Sequence, residues 1–158
     1  PRPVIVYGAG HVGAALVRAL VPLPFALRWI DPRIGIAPAI DGVACIETPL
    51  PEAETAKAPP DTMHLVMTHS HALDLEIVAT ALVQESAFVG LIGSTTKRAT
   101  FRRKLRARGL DDAAIGRLTC PIGLPGLRDK RPAIIAASVA AQLVMLDVEC
   151  AAAHRGAA

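Results

Sequence analysis

The chain has 158 residues, 52% of them hydrophobic, 3% aromatic and 20% charged, with a formal net charge of +3. That length suits one compact domain with one core and leaves no room for a second full domain. Seven of the seventeen basic residues lie between Lys97 and Arg108 with no acid among them, so the remainder sets ten basic residues against fourteen acids. The basicity belongs to one segment, and with few rings to stack bases, nucleic-acid binding is not the expected role.

Cys45, Cys120 and Cys150 are odd in number, far apart and never arranged as CxxC. This argues against a disulfide framework or structural zinc and makes a reducing cytoplasm the expected location. With no secretory leader and no apolar stretch near twenty residues, no membrane contact is expected. The start at Pro1 without a methionine reads as a soluble piece of a longer protein.

In chain order, Val4 to Tyr7 predicts a short strand buried on both faces, and Gly8, Gly10 and Gly13 follow it as GAGHVG. Val12, Ala15, Leu16, Ala19 and Leu20 recur at helical spacing until Pro22 and Pro24 end the helix. Ala26 to Ile30 predicts a second strand reaching Asp31, and Val43 to Ile46 a third; the proline- and alanine-rich TPLPEAETAKAPPD reads as a surface excursion. Leu65 to Met67 predicts a strand that delivers THSH at Thr68 to His71, followed by a helix over Leu73 to Val83. Phe88 to Ile92 is the next strand, Ser94 the N-cap of the basic helix, and Asp111 the cap of a short helix to Leu118. After the rigid TCPIGLPG turn, Pro132 opens a last helix over Ala133 to Val148, apolar nearly all round and expected to be buried. Alternation of strands and helices predicts an α/β domain of the doubly wound kind, a mostly parallel, Rossmann-like sheet between two helical layers, over residues 1–150 with 151–158 as a tail. Functional groups are then expected at the carboxyl ends of the strands.

GAGHVG follows a strand and opens a helix, and Asp31 stands eighteen residues after Gly13. This is the context of a dinucleotide fingerprint: Gly8 for the tight turn, Gly10 for close approach of backbone to phosphate, Gly13 for helix–strand packing, His11 at the helix start. Asp31 is placed to accept a ribose hydroxyl and Arg33 to meet a 2′-phosphate, which leaves NAD and NADP unseparated. In THSH an extended backbone puts His69 and His71 on one side, with Asp74 one turn into the helix, for acid–base work, ligand contact or metal ligation. The simpler alternative makes His71 a helix cap and His69 a strand-end packing residue. GLIGSTTKR repeats the logic of strand, glycine turn and helix with Gly93, Ser94 and Lys97, either a second anion cradle or simply a capped basic helix. Cys120 reads as a buried small hydrophobe or a reactive thiol, and Gln142 as the maker of a local hydrogen bond.

GAGHVG, WIDPR, THSHALD, FVGLIGSTTKR and TCPIGLPG, in that order from Val4 to Val148, resemble the carboxy-terminal Rossmann domain of the XdhC/CoxI family. The resemblance implies an accessory protein of xanthine dehydrogenase and related molybdenum hydroxylases. Such proteins are non-catalytic: they hold molybdenum cofactor (molybdopterin) during sulfuration and insert it into the apoenzyme. The implied partners are the xanthine dehydrogenase apoenzyme, the cofactor sulfurase and a second copy in a homodimer. The implied cofactor-binding set is Gly8, Gly10, His11, Gly13, Asp31, His69, His71, Asp74, Gly93, Ser94 and Lys97, with no metal site of the protein's own. Members usually also carry an amino-terminal domain, which is expected to lie outside these residues. The competing readings are an NAD(P)-dependent oxidoreductase or NAD(P)-binding regulatory domain built on GAGHVG and Asp31 and, last, metal-dependent hydrolysis through His69 and His71.

Overall fold

The computed structural model describes residues 1–157. Six parallel strands form one sheet: β1 (Arg2–Tyr7), β2 (Phe25–Asp31), β3 (Val43–Glu47), β4 (Met63–Val66), β5 (Phe88–Leu91) and β6 (Leu118–Thr119), in the order β3-β2-β1-β4-β5-β6. Strand order reverses between β1 and β4, and such a switch point opens a crevice outside the carboxyl ends of the two strands.

Alternation along β1 shows how the layers form. Val4 and Val6 face a core shared with α1 (His11–Leu20) and α6 (Pro132–Gly156), whereas Ile5 and Tyr7 face a core shared with α3 (His71–Leu82) and α4 (Thr95–Ala107). All four side chains are fully buried, which requires helices on both faces of the strand. Between β2 and β3 the crossover is not a helix: residues 32–42 run irregularly and place Ala37 and Ile40 against the α1 side of the core.

Three elements depart from the sequence reading. The segment read as an excursion contains α2 (Pro51–Ala56), whose Pro51 and Thr55 are buried, because Pro at the first turn and two early glutamates suit a helix start. A two-residue strand, β6, follows the short helix α5 (Asp112–Gly116), too brief for a periodic signal. The last helix is not buried throughout: Ala136, Val139, Ala140 and Leu143 enter the core, while Val144, Met145 and Val148 are exposed. Residues 151–156, read as a tail, continue it to Gly156. At 25 residues α6 is long and apolar enough by length and composition to cross a membrane, contrary to the expectation that no such stretch exists. Scattered Gln142, Asp147 and Glu149 hide that length in the sequence, and here the amino-terminal half of α6 serves as a core helix.

Candidate functional site

The crevice between β1 and β4 is built around Gly8. Its φ of +109° suits glycine, and a Cβ there would stand 2.2 Å from the Met67 carbonyl oxygen, just past β4. Gly13 has an equally local reason, since its Cβ would lie 2.0 Å from the Gly8 carbonyl oxygen. That same oxygen accepts a hydrogen bond from Trp29 Nε1 at 3.0 Å, so β2 helps to fix the turn. Gly10 differs: a Cβ there would meet nothing within 4 Å. The protein's own packing demands Gly8 and Gly13, and Gly10 alone opens onto free space. Gly10 is also the N-cap of α1 and no side chain caps that helix. The first N–H groups of α1 therefore keep their capacity to donate, beside the positive end of the helix dipole. His11 stands exposed at the start of this helix.

Asp31 is drawn away from ligand duty. Its Oδ2 accepts from Ala9 N at 2.7 Å and Arg33 Nη2 at 2.9 Å, and its Oδ1 from Arg33 N at 2.8 Å and Arg33 Nε at 2.9 Å. Burial pushes the carboxyl up, but Arg33 and the Ala9 N–H outweigh it and hold the group below the usual carboxylate range. Four donors occupy the sites with which a carboxylate accepts, so the expected ribose contact has no free acceptor, and Arg33 is itself engaged. Asp31 instead ties the end of β2 to the glycine turn.

On the other wall, Thr68 to His71 leave β4 as an Asp-anchored turn. Fully buried Asp74 accepts from Thr68 N at 2.9 Å and Thr68 Oγ1 at 2.6 Å, and pairs with Lys97 Nζ at 3.2 Å. Ser70, not His71, caps α3 by accepting from Leu73 N at 3.3 Å. His69 and His71 are exposed, without a protein hydrogen-bond partner among the described residues, which leaves two imidazoles free at the crevice wall. Among the described residues no cluster of three or more His, Cys, Asp or Glu is placed to hold a metal ion.

The second glycine turn is satisfied by the protein's own groups. Ser94 Oγ accepts from Lys97 N at 3.2 Å, and Lys97 Nζ turns inward to Asp74 and to the Ile92 carbonyl at 2.8 Å. Lys97 thus joins the two turns and is not a free cation, while a Cβ on Gly93 would first meet the flexible Lys97 side chain, at 2.5 Å. Cys120 is buried; burial raises its thiol, with Lys97 and Arg98 opposing in part, so the thiolate character that reactivity needs is suppressed. Gln142 makes its local bond, accepting from Gly123 N at 2.8 Å.

Sequence reasoning missed a buried polar group under the crevice. Tyr7 Oη lies 2.9 Å from His64 Nδ1 and 2.9 Å from Thr55 Oγ1, and burial lowers the His64 ring to about 4 while raising the Tyr7 phenol. His64 Nε2 is buried without a partner. A histidine amid the apolar residues of β4 is the only sequence signal for it.

The parallel order and the glycine turn at its reversal define a Rossmann-type domain. The profile of the XdhC Rossmann domain matches residues 4–143. The uncharacterized protein YqeB of Escherichia coli K12 is 30% identical over 154 residues, which cover 92% of this chain and 27% of YqeB. A crystal structure described as a xanthine dehydrogenase (BH1974) from Bacillus halodurans superposes with a TM-score of 0.75 at 28% identity, covering 94% of this chain and 43% of that one. This chain belongs to the XdhC Rossmann-domain family, and it spans less than half the length of either relative. Membership suggests an accessory role.

Proposed function

We propose that this chain binds molybdenum cofactor through the phosphate of its pyranopterin and takes part, without turnover of its own, in passing the cofactor to apo-xanthine dehydrogenase. The observation that carries the reading is the uncapped start of α1 beneath Gly10, at the switch point of the sheet. An anionic phosphate suits unspent backbone donors there, and the gap beside Gly10 gives it room to approach the backbone. Exposed His69 and His71 on the facing wall supply imidazole contacts for the rest of the group, while Asp31 and Asp74 hold the two walls in place. When bound, the cofactor supplies the molybdenum centre of the recipient enzyme; the chain's part is to bind, orient and release it.

The competing reading, NAD or NADP binding, draws support from the same turn and strand order, but the four donors on Asp31 weigh against it. Anaerobic thermal-shift titration with molybdenum cofactor, NAD and NADP separates the two, because a ligand that binds only the native state raises the melting temperature by mass action. Stabilisation by the cofactor alone, with transfer of activity to apo-xanthine dehydrogenase, is expected. Stabilisation by a nicotinamide nucleotide alone would replace this reading with the other.

A further inference from the structure

Beyond the glycine crevice, a cavity of about 1010 Å³ lies at the carboxyl ends of β5 and β6. Its floor and walls are the start of α4, the Cys120–Lys130 loop and the first turns of α6. The loop is held in shape from α6: Leu124 N donates to Ser138 Oγ at 2.7 Å and Gly123 N to Gln142 Oε1 at 2.8 Å. Gly123 sits at a φ of +107°, with space for a Cβ closed off by Ser138 Oγ at 2.7 Å. The two polar side chains in the amino-terminal half of α6 are thus spent on the wall of a cavity.

The lining joins two chemistries. Ile92, Ile122 and Ile135 give an apolar surface, and Arg98, Arg128 and Lys130 bring cations from two separate segments. None of these three cations takes part in any ion pair found among the described residues. The acid on the lining, Asp129, is already paired with Arg131 at 2.6 Å. A cavity of this size, with an apolar lining and a few exposed cations along it, matches the general make-up of small-molecule sites.

We propose that this cavity is a binding site, distinct from the Gly10 crevice, for a ligand with an apolar body and a phosphate or carboxylate that Arg98 and Arg128 neutralise. Its positive charge does not depend on the capped turn at Ser94; it comes from side chains that leave the sequence at positions 98, 128 and 130 and meet only in the fold. The inference does not require the cofactor reading.

The test uses 2-naphthyl phosphate as probe, with inorganic phosphate and 2-naphthol as its two halves, by calorimetry on the whole chain. The intact probe is expected to bind at least about tenfold more tightly than either half, since body and anion are held together. Arg98→Glu with Arg128→Glu is expected to weaken it by about tenfold or more, the loss shrinking at high salt. Arg103→Glu with Lys104→Glu, exposed cations of the same helix outside the cavity, is the control and is expected to stay within about twofold. No binding of the intact probe, or equal loss in both double variants, would overturn the site. Failure of molybdenum cofactor to bind while the probe does would remove the function proposed above and leave this cavity's assignment standing; the reverse pattern would do the opposite.

Discussion

The two strand–glycine–helix turns look alike in sequence and differ in what they leave free. At Gly8 to Gly13 the backbone consumes two glycines for its own close approaches and leaves the third, Gly10, facing open space above an uncapped helix. At Gly93 to Lys97 a serine already caps the helix, and the lysine is spent on a buried aspartate. A glycine turn before a helix is therefore not enough to identify an anion site; what matters is whether the helix start has already been satisfied by the protein itself.

That contrast can be broken at its strongest tie first. Asp74→Ala strands the Lys97 ammonium and two Thr68 donors and is expected to cost about 3–5 kcal/mol in urea unfolding, as removal of one partner of a buried pair does. A loss below about 1 kcal/mol, the range of an exposed pair, would mean the second turn is not tied in this way. Gly8→Ala is expected to cost on the order of 3 kcal/mol, from positive φ and the contact with the Met67 carbonyl. Stability unchanged there would show the first turn to be looser than described.

The strand beneath the first turn has its own signature. His64 is buried and neutral, with a folded value of about 4 against 6.5 ordinarily. The unfolded chain takes up a proton first as pH falls, so this stability is complete above about pH 6.5 and is lost between about 6.5 and 4, about 3 kcal/mol in all. Urea midpoints followed across that window should fall in the wild type and flatten in His64→Phe; parallel curves would contradict the buried neutral ring. The smallest effect belongs to Ser94→Ala, about 1 kcal/mol for a lost cap. If it costs nothing, the second turn is as unsatisfied as the first and the contrast dissolves.

Much of this was legible in the sequence. The alternation of apolar runs with helical periods located β1 to β5 and the helices α1 and α3, and Ser94 and Asp111 cap the helices they were expected to cap. The XdhC-type motif series anticipated the family that the profile match shows. What stayed hidden depends on distance through the fold. Asp31 and Asp74 read as ligand-facing acids because sequence shows a carboxylate at a strand or helix end but not the donors that converge on it: Arg33 and Ala9 in one case, Thr68 and Lys97 in the other. Lys97 read as part of a second anion cradle for the same reason. The half-exposed course of α6 was missed because its alanine-rich pattern has no polar face to mark where the core stops.

The central claim is that the open face beside Gly10 receives the cofactor phosphate. The most direct measurement is anaerobic equilibrium binding of molybdenum cofactor to the wild type and to Gly10→Val, with unfolding curves taken on both. A Cβ at Gly10 meets no protein atom within 4 Å, so the stability loss is expected to stay near about 1 kcal/mol, that of a poorer N-cap residue, while affinity falls by about tenfold or more. Equal affinity in the two folded proteins would contradict the claim.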